Sequence, residues 1–339
     1  MTVDILNSIP HEQWRDFVKS HPQGNIFHTP EMFEVWRETR GFSPQFWAAA
    51  DEEGIAALWI PVHISLSDGL LKRLTTRTVV FGGALCREGQ AGSQALAELL
   101  KHYKRSAGAT SLFTEVRNVS EPNGLLPVLT GAGFRYEEHL NYLINLQGPV
   151  EAVFNRIGSR TRQHIRKGIK RNKVRIEEIH ERDKVTDCYR LLEKTYGRAN
   201  VPLPDVSLFH SAFDRLAPAN MVRFALAYVE DEPAAVSVEL LYKDTVYGWY
   251  GGVDRRFMSS VPNELLMWNV LEWGCKNGYR VYDFGGAGKP DEKYGVRDFK
   301  AKFGGELVGF GRNVWVAKPA LFAVSKFGYS VLRSILYKS

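Results

Sequence analysis

Residues 279–305, which read YRVYDFGGAGKPDEKYGVRDFKAKFGG, carry the clearest structural signal in this chain. A short β-type run leads into a glycine-rich loop, and a helix-length segment follows it and ends in FKAKFGG. Lys300 therefore lies between two apolar side chains, Phe299 and Phe303, shortly after the loop. A cation held against apolar walls can stabilise developing negative charge. The alternative is that Phe299 and Phe303 (i, i+4) anchor a helix in the core while Lys300 faces solvent.

Composition limits the classes of protein to which the chain can belong. Its 339 residues predict one to three domains, and a hydrophobic share of 44% is enough for sizeable cores. The net charge of +6 favours an anionic partner such as a nucleotide, a nucleic acid or an acidic membrane surface. The three cysteines lack metal-ligand spacing, so we expect no metal site. Because no signal peptide and no run of roughly 18 apolar residues occur, we expect a cytoplasmic protein.

The same order of elements occurs twice along the chain. Three segments of the first half match three of the second half in pattern: 46–62 with 224–240, 96–116 with 265–285, and 133–146 with 304–317. The first pair has the pattern of a hairpin, and the second has that of a helix followed by a strand. We interpret this as an internal duplication of one mixed α/β unit. The alternative is coincidence, since hairpin–helix–strand order is common.

A basic segment at 156–175 is the strongest electrostatic signal, because it holds nine Arg and Lys residues and no acid. Arg162, Arg166 and Lys170 are spaced at i, i+4 and i+8, so they line one face of a helix. Guanidinium groups bind phosphate through paired hydrogen bonds. The segment predicts a groove for a diphosphate or an RNA backbone, and the alternative is a solvated helix face.

An aromatic strand, VYGWYGGVD at 246–254, ends in a glycine pair that permits close backbone approach. The hydroxyl of Tyr250 is a candidate for orienting a substrate, although a half-buried structural tyrosine gives the same pattern. Asp254 and Asp283 end strands, where isolated carboxylates are usually structural. No GxSxG, Walker A or HExxH motif is present, so serine hydrolases, P-loop nucleotidases and zinc proteases of those types are excluded.

Together, the duplicated units and the segments SRTRQHIRK, YGWYGGVD, PNELLMWNVLEWGCKNGYRVYDFGG and FKAKFGG resemble the FemA/FemB/FemX family. The resemblance implies an α/β (α+β) fold of two tandem GNAT-like, acyl-CoA N-acyltransferase-like domains with mixed sheets flanked by helices. It places domain 1 at 1–147 and domain 2 at 148–316. It also implies that a basic, amphipathic C-terminal helix at 318–339 packs back onto domain 1. The alternative for this helix is a peripheral contact with the inner face of a membrane.

The resemblance also implies a bacterial acyltransferase, specifically an aminoacyltransferase of peptidoglycan and cell-wall synthesis. Such an enzyme joins an activated aminoacyl group to an amine of a cell-envelope precursor and so forms an amide. Lys300, preceded by Phe299, matches the family lysine that stabilises the oxyanion, and Tyr250 matches an aromatic-strand tyrosine. Arg198 matches an arginine near the substrate diphosphate, and we expect it to act with Arg162, Arg166 and Lys170 in phosphate binding.

Two departures from the family pattern concern the donor. No coiled-coil arm is inserted in the second half, and the glycines of the GNAT pyrophosphate loop are missing at 255–263. We expect no tightly bound cofactor, with aminoacyl-tRNA or acyl-CoA as co-substrate. The expected partners are an anionic precursor carrying a nucleotide- or lipid-linked diphosphate and, for the first donor, tRNA. The competing functions are an acyl-CoA-dependent N-acyltransferase, for example in exopolysaccharide synthesis, and a non-catalytic nucleic-acid binder.

Overall fold

The computed structural model describes residues 3–65, 76–107, 110–122 and 124–323. The chain folds as two compact units: one combines Met1–Glu138 with Phe310–Ser339, and the other is His139–Gly309. Each unit contains mixed β-sheet covered by helices, which confirms the predicted α/β class.

Within the described residues, unit 1 is built from ten strands and four helices, besides a helical segment at the start of the C-terminal tail. The strands are β1 (Asp4–Leu6), β2 (Phe42–Pro44), β3 (Trp47–Asp51), β4 (Gly54–Trp59), β5 (Pro61–Ile64), β6 (Arg77–Phe81), β7 (Leu85–Cys86), β8 (Phe113–Arg117), β9 (Arg135–Glu137) and a strand from the far end of the chain, β17 (Arg312–Val316). The helices are α1 (His11–Ser20), α2 (Pro30–Arg37), α3 (Gln90–Ala107) and α4 (Leu126–Gly131).

The strands of unit 1 form one sheet in the order β1-β3-β4-β7 and another in the order β2-β5-β6-β8-β17-β9. Helix α3 packs on β3 and β4. Its Tyr103 is fully buried, and its ring meets that of Trp59 at a centroid distance of 5.5 Å. Burial of such large aromatic side chains is the main stabilising contribution to a core of this kind.

Unit 2 contains seven strands and six helices within the described residues. The strands are β10 (Asn141–Asn145), β11 (Val174–Glu178), β12 (Val222–Val229), β13 (Glu232–Tyr242), β14 (Thr245–Val253), β15 (Val281–Gly286) and β16 (Glu306–Val308). The helices are α5 (Val150–Arg156), α6 (Ser159–Arg171), α7 (Lys184–Ala199), α8 (Ser207–Leu216), α9 (Pro262–Lys276) and α10 (Gly295–Ala301), and a 3-10 turn covers Arg255–Ser260.

The seven strands form one sheet in the order β11-β12-β13-β14-β15-β10-β16. All neighbours are antiparallel except β14 and β15, which run parallel. These two strands pair over only three residues each, and the last pair is Tyr247 with Asp283. Beyond that pair β14 continues beside β13 and β15 beside β10. The middle of the sheet therefore opens between β14 and β15.

The predicted domain limits, 1–147 and 148–316, differ from those of the structure. Strand β10 belongs to unit 2, where it forms antiparallel ladders with β15 and β16 and buries Tyr142 and Ile144 in that core. Strand β17 belongs to unit 1, where it pairs with β8 and β9. Segment 133–146 thus contributes β9 to unit 1 and β10 to unit 2. Segment 304–317 contributes β16 to unit 2 and β17 to unit 1. A hydrophobic pattern predicts a strand without predicting which sheet it joins.

The described part of the C-terminal tail begins as a helix at residues 319–323. The ring of Phe322 contacts that of Phe113 on β8 at a centroid distance of 5.0 Å. The rest of the predicted tail helix, 324–339, lies outside the described residues.

Candidate functional site

The ammonium group of Lys300 is buried at the end of β15. Helix α10 carries Lys300 inward, and the residue is only 9% exposed, so the alternative in which Lys300 faces solvent does not hold. Its Nζ donates to the carbonyl oxygens of Phe284 at 2.5 Å, Gly286 at 2.8 Å and Gly285 at 3.3 Å. A lysine ammonium has three N–H donors. All three therefore have an acceptor, and the bond to Gly285 is the longest.

Burial also changes the acidity of Lys300. Desolvation lowers its pKa to about 8, and the nearby carboxylate of Asp283 opposes that shift. The Phe284 ring lies 5.7 Å from the ammonium and adds a cation–π contact. At neutral pH the group is consequently still mostly charged, and its charge acts in a surrounding of low polarity where it is poorly screened.

Asp283 is a second buried ionisable group at the same strand end. Its Oδ1 accepts hydrogen bonds from the backbone N–H of Gly285 and from Asn141 Nδ2, both at 2.7 Å. Desolvation raises the pKa of Asp283 to about 6, and the two hydrogen bonds and the charge of Lys300 oppose the shift. Asn141 comes from the neighbouring strand β10, so the pairing of β10 with β15 places it beside the carboxylate.

Arg297 fixes the loop that follows β15. It lies one helical turn before Lys300 on α10, and its guanidinium donates to the carbonyls of Ala287 at 2.8 Å, Pro290 at 3.1 Å and Lys289. Helix α10 therefore holds 284–290 through the two cations Arg297 and Lys300. The two phenylalanines were predicted to give Lys300 apolar neighbours in the core. Phe303 is fully buried there, and Phe299 is half-buried against the same core.

Tyr250 lies on β14 beyond its last pair with β15, within a group of aromatic rings. Its ring centroid is 4.9 Å from that of Phe209, 5.0 Å from that of Trp249 and 5.8 Å from that of Tyr196. Burial raises the pKa of Tyr196 to about 12.

The close approach predicted for the glycine pair, Gly251 and Gly252, occurs at Gly252. An added Cβ there would lie 2.9 Å from the hydroxyl of Thr195 on α7.

Arg198 ends helix α7 near the same strand. Its guanidinium is exposed and donates to the carbonyl of Val253 at 3.2 Å. Asp254 follows β14 and accepts hydrogen bonds from Lys194 at 3.1 Å and from Arg256 at 3.0 Å. These hydrogen bonds, the one from Arg256 first, hold the pKa of Asp254 well below its usual range. Asp254 thus has a structural ion-pair role at this strand end.

The candidate phosphate-binding residues of α6 have contacts of different kinds. Arg162 donates to the carbonyls of Asn155 and, at 2.8 Å, Ile157, so it caps the end of α5. Arg166 stacks over the Phe154 ring at 5.2 Å, whereas Lys170 is exposed. Arg162 and Lys170 are separated by about 12 Å along the helix axis. The three residues share a helix face as predicted, but they do not converge on one point.

Helix α6 begins close to the end of α10. The backbone N–H of Gly158 donates to the carbonyl of Lys302 at 2.9 Å. A shallow depression is lined by Arg160, Arg162 and Arg166 together with Ser159 and Gln163. This basic depression therefore starts beside the helix that carries Lys300, whereas Arg198 and Tyr250 belong to α7 and β14.

The N-terminus of α9 lies at the end of residues 255–263, the segment that the sequence resemblance matches to a pyrophosphate loop. Val261 precedes it with φ +53°, a conformation that a β-branched residue rarely adopts, and no side chain caps the helix. Pro262 occupies the first turn and lacks an N–H. Val261 and Leu265 pack on Gly168 of α6, where an added Cβ would lie within 3.1 Å of both side chains. This helix end offers few free amides to an anion.

Sequence patterns missed Asn141, Arg297 and Tyr247. The Tyr247 hydroxyl lies over Gly285, where an added Cβ would be 3.1 Å from it. The spacing of Arg297 three residues before Lys300 is a usable signal for a shared helix face. Asn141 has no local signal, since 142 residues separate it from Asp283.

Comparisons with known proteins agree with this fold. Residues 158–300 match the acetyltransferase (GNAT) domain family, and this match supports a transferase. The crystal structure of FemX superposes with a TM-score of 0.72 at 15% sequence identity, covering 95% of this chain and 99% of FemX. The chain has the FemX-like GNAT fold. The fold predicted from the sequence resemblance is therefore confirmed.

Two further solved structures are similar to this FemX-like chain. A tandem GNAT protein from the clavulanic acid biosynthesis pathway has a TM-score of 0.60 at 10% identity, covering 93% of this chain and 99% of its own. The C-terminal domain of an Agrobacterium fabrum protein described as a putative lysylphosphatidylglycerol synthetase has a TM-score of 0.57 at 14% identity, covering 93% of both chains. No curated protein matches by sequence. Among the described helices, none has both the length and the apolar character that crossing a bilayer requires.

Proposed function

We propose that the chain is a Fem-like N-acyltransferase that joins an aminoacyl group to an amine of a cell-envelope precursor. The observation that carries the proposal is the ammonium of Lys300, buried at the point where β14 and β15 diverge. A buried cation next to an opening in the sheet suits a reaction in which an oxyanion forms on a bound carbonyl.

The reaction needs few catalytic groups from the protein. The amine attacks the ester carbonyl of the donor, the carbonyl oxygen becomes an oxyanion, and the tetrahedral intermediate expels the ribose hydroxyl as it forms the amide. The nitrogen loses one proton, and the leaving oxygen gains one. The oxyanion would take the place of the Gly285 carbonyl, the most distant acceptor of Lys300 at 3.3 Å. Binding the two substrates side by side supplies much of the rate.

Aminoacyl-tRNA is the donor that the second unit favours over acyl-CoA. The N-terminus of α9 has a proline in its first turn and a strained valine before it, so it lacks the glycine-rich amide loop that holds a CoA pyrophosphate. The similar Agrobacterium fabrum domain is described as part of a putative lysylphosphatidylglycerol synthetase, and lysylphosphatidylglycerol carries an aminoacyl group. We propose no tightly bound cofactor and no metal.

The acceptor is an anionic precursor that carries a diphosphate linked to a nucleotide or a lipid. The exposed guanidinium of Arg198 near Tyr250 and the basic depression on α6 are the two candidate phosphate contacts. In that depression Arg162 already caps α5, so Arg160 and Arg166 are the better-placed guanidinium groups. Tyr250 would orient the acceptor from β14, and Phe299 would support the position of Lys300.

A donor assay tests the proposal. Radiolabelled aminoacyl-tRNA and labelled acetyl-CoA are each offered with a cell-wall precursor and with an amino-sugar acceptor. We expect label to move from tRNA to the precursor in an amide that survives mild base, which cleaves esters. Transfer from acetyl-CoA alone would contradict the tRNA donor. Binding of RNA without transfer from either donor would contradict an enzyme.

An acyl-CoA-dependent N-acyltransferase is the second candidate, because the family match at 158–300 is to acetyltransferases. In this case CoA must bind without the glycine-rich loop at the start of α9. A thermal-shift titration with CoA distinguishes the two candidates. A rise in melting temperature that saturates with CoA would favour this second function, and an unchanged melting temperature would favour the first.

A further inference from the structure

We propose that the outward face of α6, together with the adjoining turn Arg255–Ser260, docks onto a membrane surface that contains anionic lipid. This surface, called here the α6 face, carries the exposed cations Arg160, Arg166, Lys167, Lys170 and Arg171 of α6. The proposal goes beyond the proposed function. Arg160 and Arg166 also border the depression proposed above as a phosphate contact, so the test uses Lys167, Lys170 and Arg171, which line no part of that depression.

The first argument is uncompensated charge. None of the cations on the α6 face forms an ion pair with an acid among the described residues, and α6 itself contains no acid. Exposed cations elsewhere in unit 2 do form such pairs, for example Arg182 with Asp214 and Lys276 with Glu272. A cluster of like charges without counter-charges repels itself, and an anionic surface relieves that repulsion.

The second argument is the orientation of α6. Its buried residues Thr161, Ile165 and Gly168 follow the i, i+4, i+7 spacing of one helix face. Gly168 lets the helix approach α9 closely, since an added Cβ would lie 2.9 Å from a methyl of Leu265. Apart from Arg166, which stacks over the Phe154 ring, the cations therefore lie on the solvent side of a helix about 20 Å long. A row of cations of this length matches a flat anionic surface better than a small ligand, which could contact only part of the row.

The third argument chooses lipid over nucleic acid. Ile169 and Met258 are 58% and 59% exposed, which is high for large apolar side chains. Both belong to segments that meet where Gly168 of α6 packs on Val261 and Leu265. Ile169 follows Gly168, and the carbonyl of Met258 accepts a hydrogen bond from the N–H of Val261 at 3.1 Å.

A membrane interface accommodates apolar side chains between cations. A phosphodiester backbone offers them no partner, and α6 has no Phe, Tyr or Trp to stack on a base. The aromatic residue of the adjoining turn, Phe257, already has the guanidinium of Arg256 over its ring at 4.9 Å.

Vesicle co-sedimentation of the full chain tests the α6 face. The vesicles are made of equal parts phosphatidylglycerol and phosphatidylcholine, with pure phosphatidylcholine for comparison. We expect binding to the first kind only. The triple variant Lys167→Gln, Lys170→Gln, Arg171→Gln should partition on the order of a hundredfold less. The matched control Lys19→Gln, Lys101→Gln, Arg105→Gln loses the same charge from exposed positions of unit 1 and should bind nearly as the parent does.

The apolar part of the α6 face has its own variant. Ile169→Ser with Met258→Ser keeps every charge and should weaken binding severalfold, most visibly in high salt where the electrostatic attraction is screened. Equal losses in the two triple variants would overturn the proposal, as would equal binding to both kinds of vesicle. A duplex RNA that binds through Lys167, Lys170 and Arg171 while anionic vesicles do not bind would also overturn it and assign the face to nucleic acid.

Discussion

Asp283 and Lys300 hold the same glycine turn through opposite groups. The Asp283 carboxylate accepts the backbone N–H of Gly285 at 2.7 Å, while Lys300 donates to the carbonyl of Gly286 at 2.8 Å. Each charge also stabilises the other, since Lys300 lowers the pKa of Asp283 and Asp283 raises that of Lys300. The position of this turn is therefore coupled to the charges of the two side chains. Because both charges change with pH, the effect of each can be measured by varying the pH.

Replacing Asp283 by asparagine should change how stability depends on pH. The pKa of Asp283 is raised from 3.8 to about 6 in the folded chain, so the folded state binds the proton more tightly than the unfolded state. Ionisation of this group therefore destabilises the fold progressively as pH rises from about 4 to about 6, by roughly 3 kcal/mol in total. The Asp283→Asn variant would keep an acceptor oxygen for Gly285 and Asn141 without that charge.

Urea unfolding at several pH values measures the effect. The stability of the Asp283→Asn variant relative to the parent should increase between about pH 4 and 6 and stay constant above. A control at an exposed acid of the loop after β15, Asp291→Asn, should show no such rise. A relative stability that falls across this range would contradict the burial of an ionised carboxylate at this strand end.

The activity of the proposed enzyme should fall as pH rises through about 8, where Lys300 loses its proton. Removing the negative charge of Asp283 withdraws the interaction that favours the protonated lysine. The Asp283→Asn variant should therefore lose activity at a lower pH than the parent. The pH profile of single-turnover rates measures this shift, and an unchanged or upward-shifted decline would contradict electrostatic coupling of the two groups.

Arg297→Gln should loosen the segment after β15 without unfolding unit 2. The variant removes the cation that holds the carbonyls of Ala287 and Pro290, so the amides of this segment should exchange hydrogen faster. Arg280→Gln, which removes an exposed arginine just before β15, is the matched control. Equal protection in the Arg297→Gln variant and the parent would show that the loop keeps its position without Arg297.

Two glycines on helices of unit 2 should respond oppositely to alanine. Gly168→Ala places a methyl group 2.9 Å from Leu265 and 3.1 Å from Val261, so overpacking should lower stability by about 1–2 kcal/mol. Gly197→Ala on α7 has open space around its Cβ and should raise stability by up to about 1 kcal/mol. Denaturant unfolding of both variants measures the difference. A neutral Gly168→Ala variant would contradict the tight contact of α6 with α9.

Local sequence patterns predicted the elements of the candidate site better than its contacts. The run at 279–305 predicted strand, loop and helix. The two phenylalanines around Lys300 fitted both a buried and a solvent-facing lysine, and only the structure shows that the helix carries Lys300 inward. The same patterns gave Arg162 a phosphate-binding role. Its carbonyl partners at the end of α5 depend on how the chain turns at Gly158, which a helix-face pattern does not contain.

Long-range pairing explains the remaining differences. Asn141 meets Asp283 only because β10 joins the sheet of unit 2 beside β15. The same pairing explains the domain limit. The predicted limit at residue 147 assigns β10 to the first domain, whereas β10 belongs to the sheet of unit 2, which begins at His139. Strand partners are chosen by packing across the whole sheet, and a single chain's hydrophobic pattern determines only which face of a strand is buried.

The rate of the chemical step in the Lys300→Met variant tests the central claim most directly. In a single-turnover experiment with saturating aminoacyl-tRNA and acceptor, loss of the ammonium should lower the rate by about 10²–10³-fold while substrate affinities change little. The control is Lys302→Met, which removes the exposed cation two residues later on the same segment and should keep nearly the full rate. A Lys300→Met variant that remains folded and reacts as fast as the parent would contradict the role of Lys300.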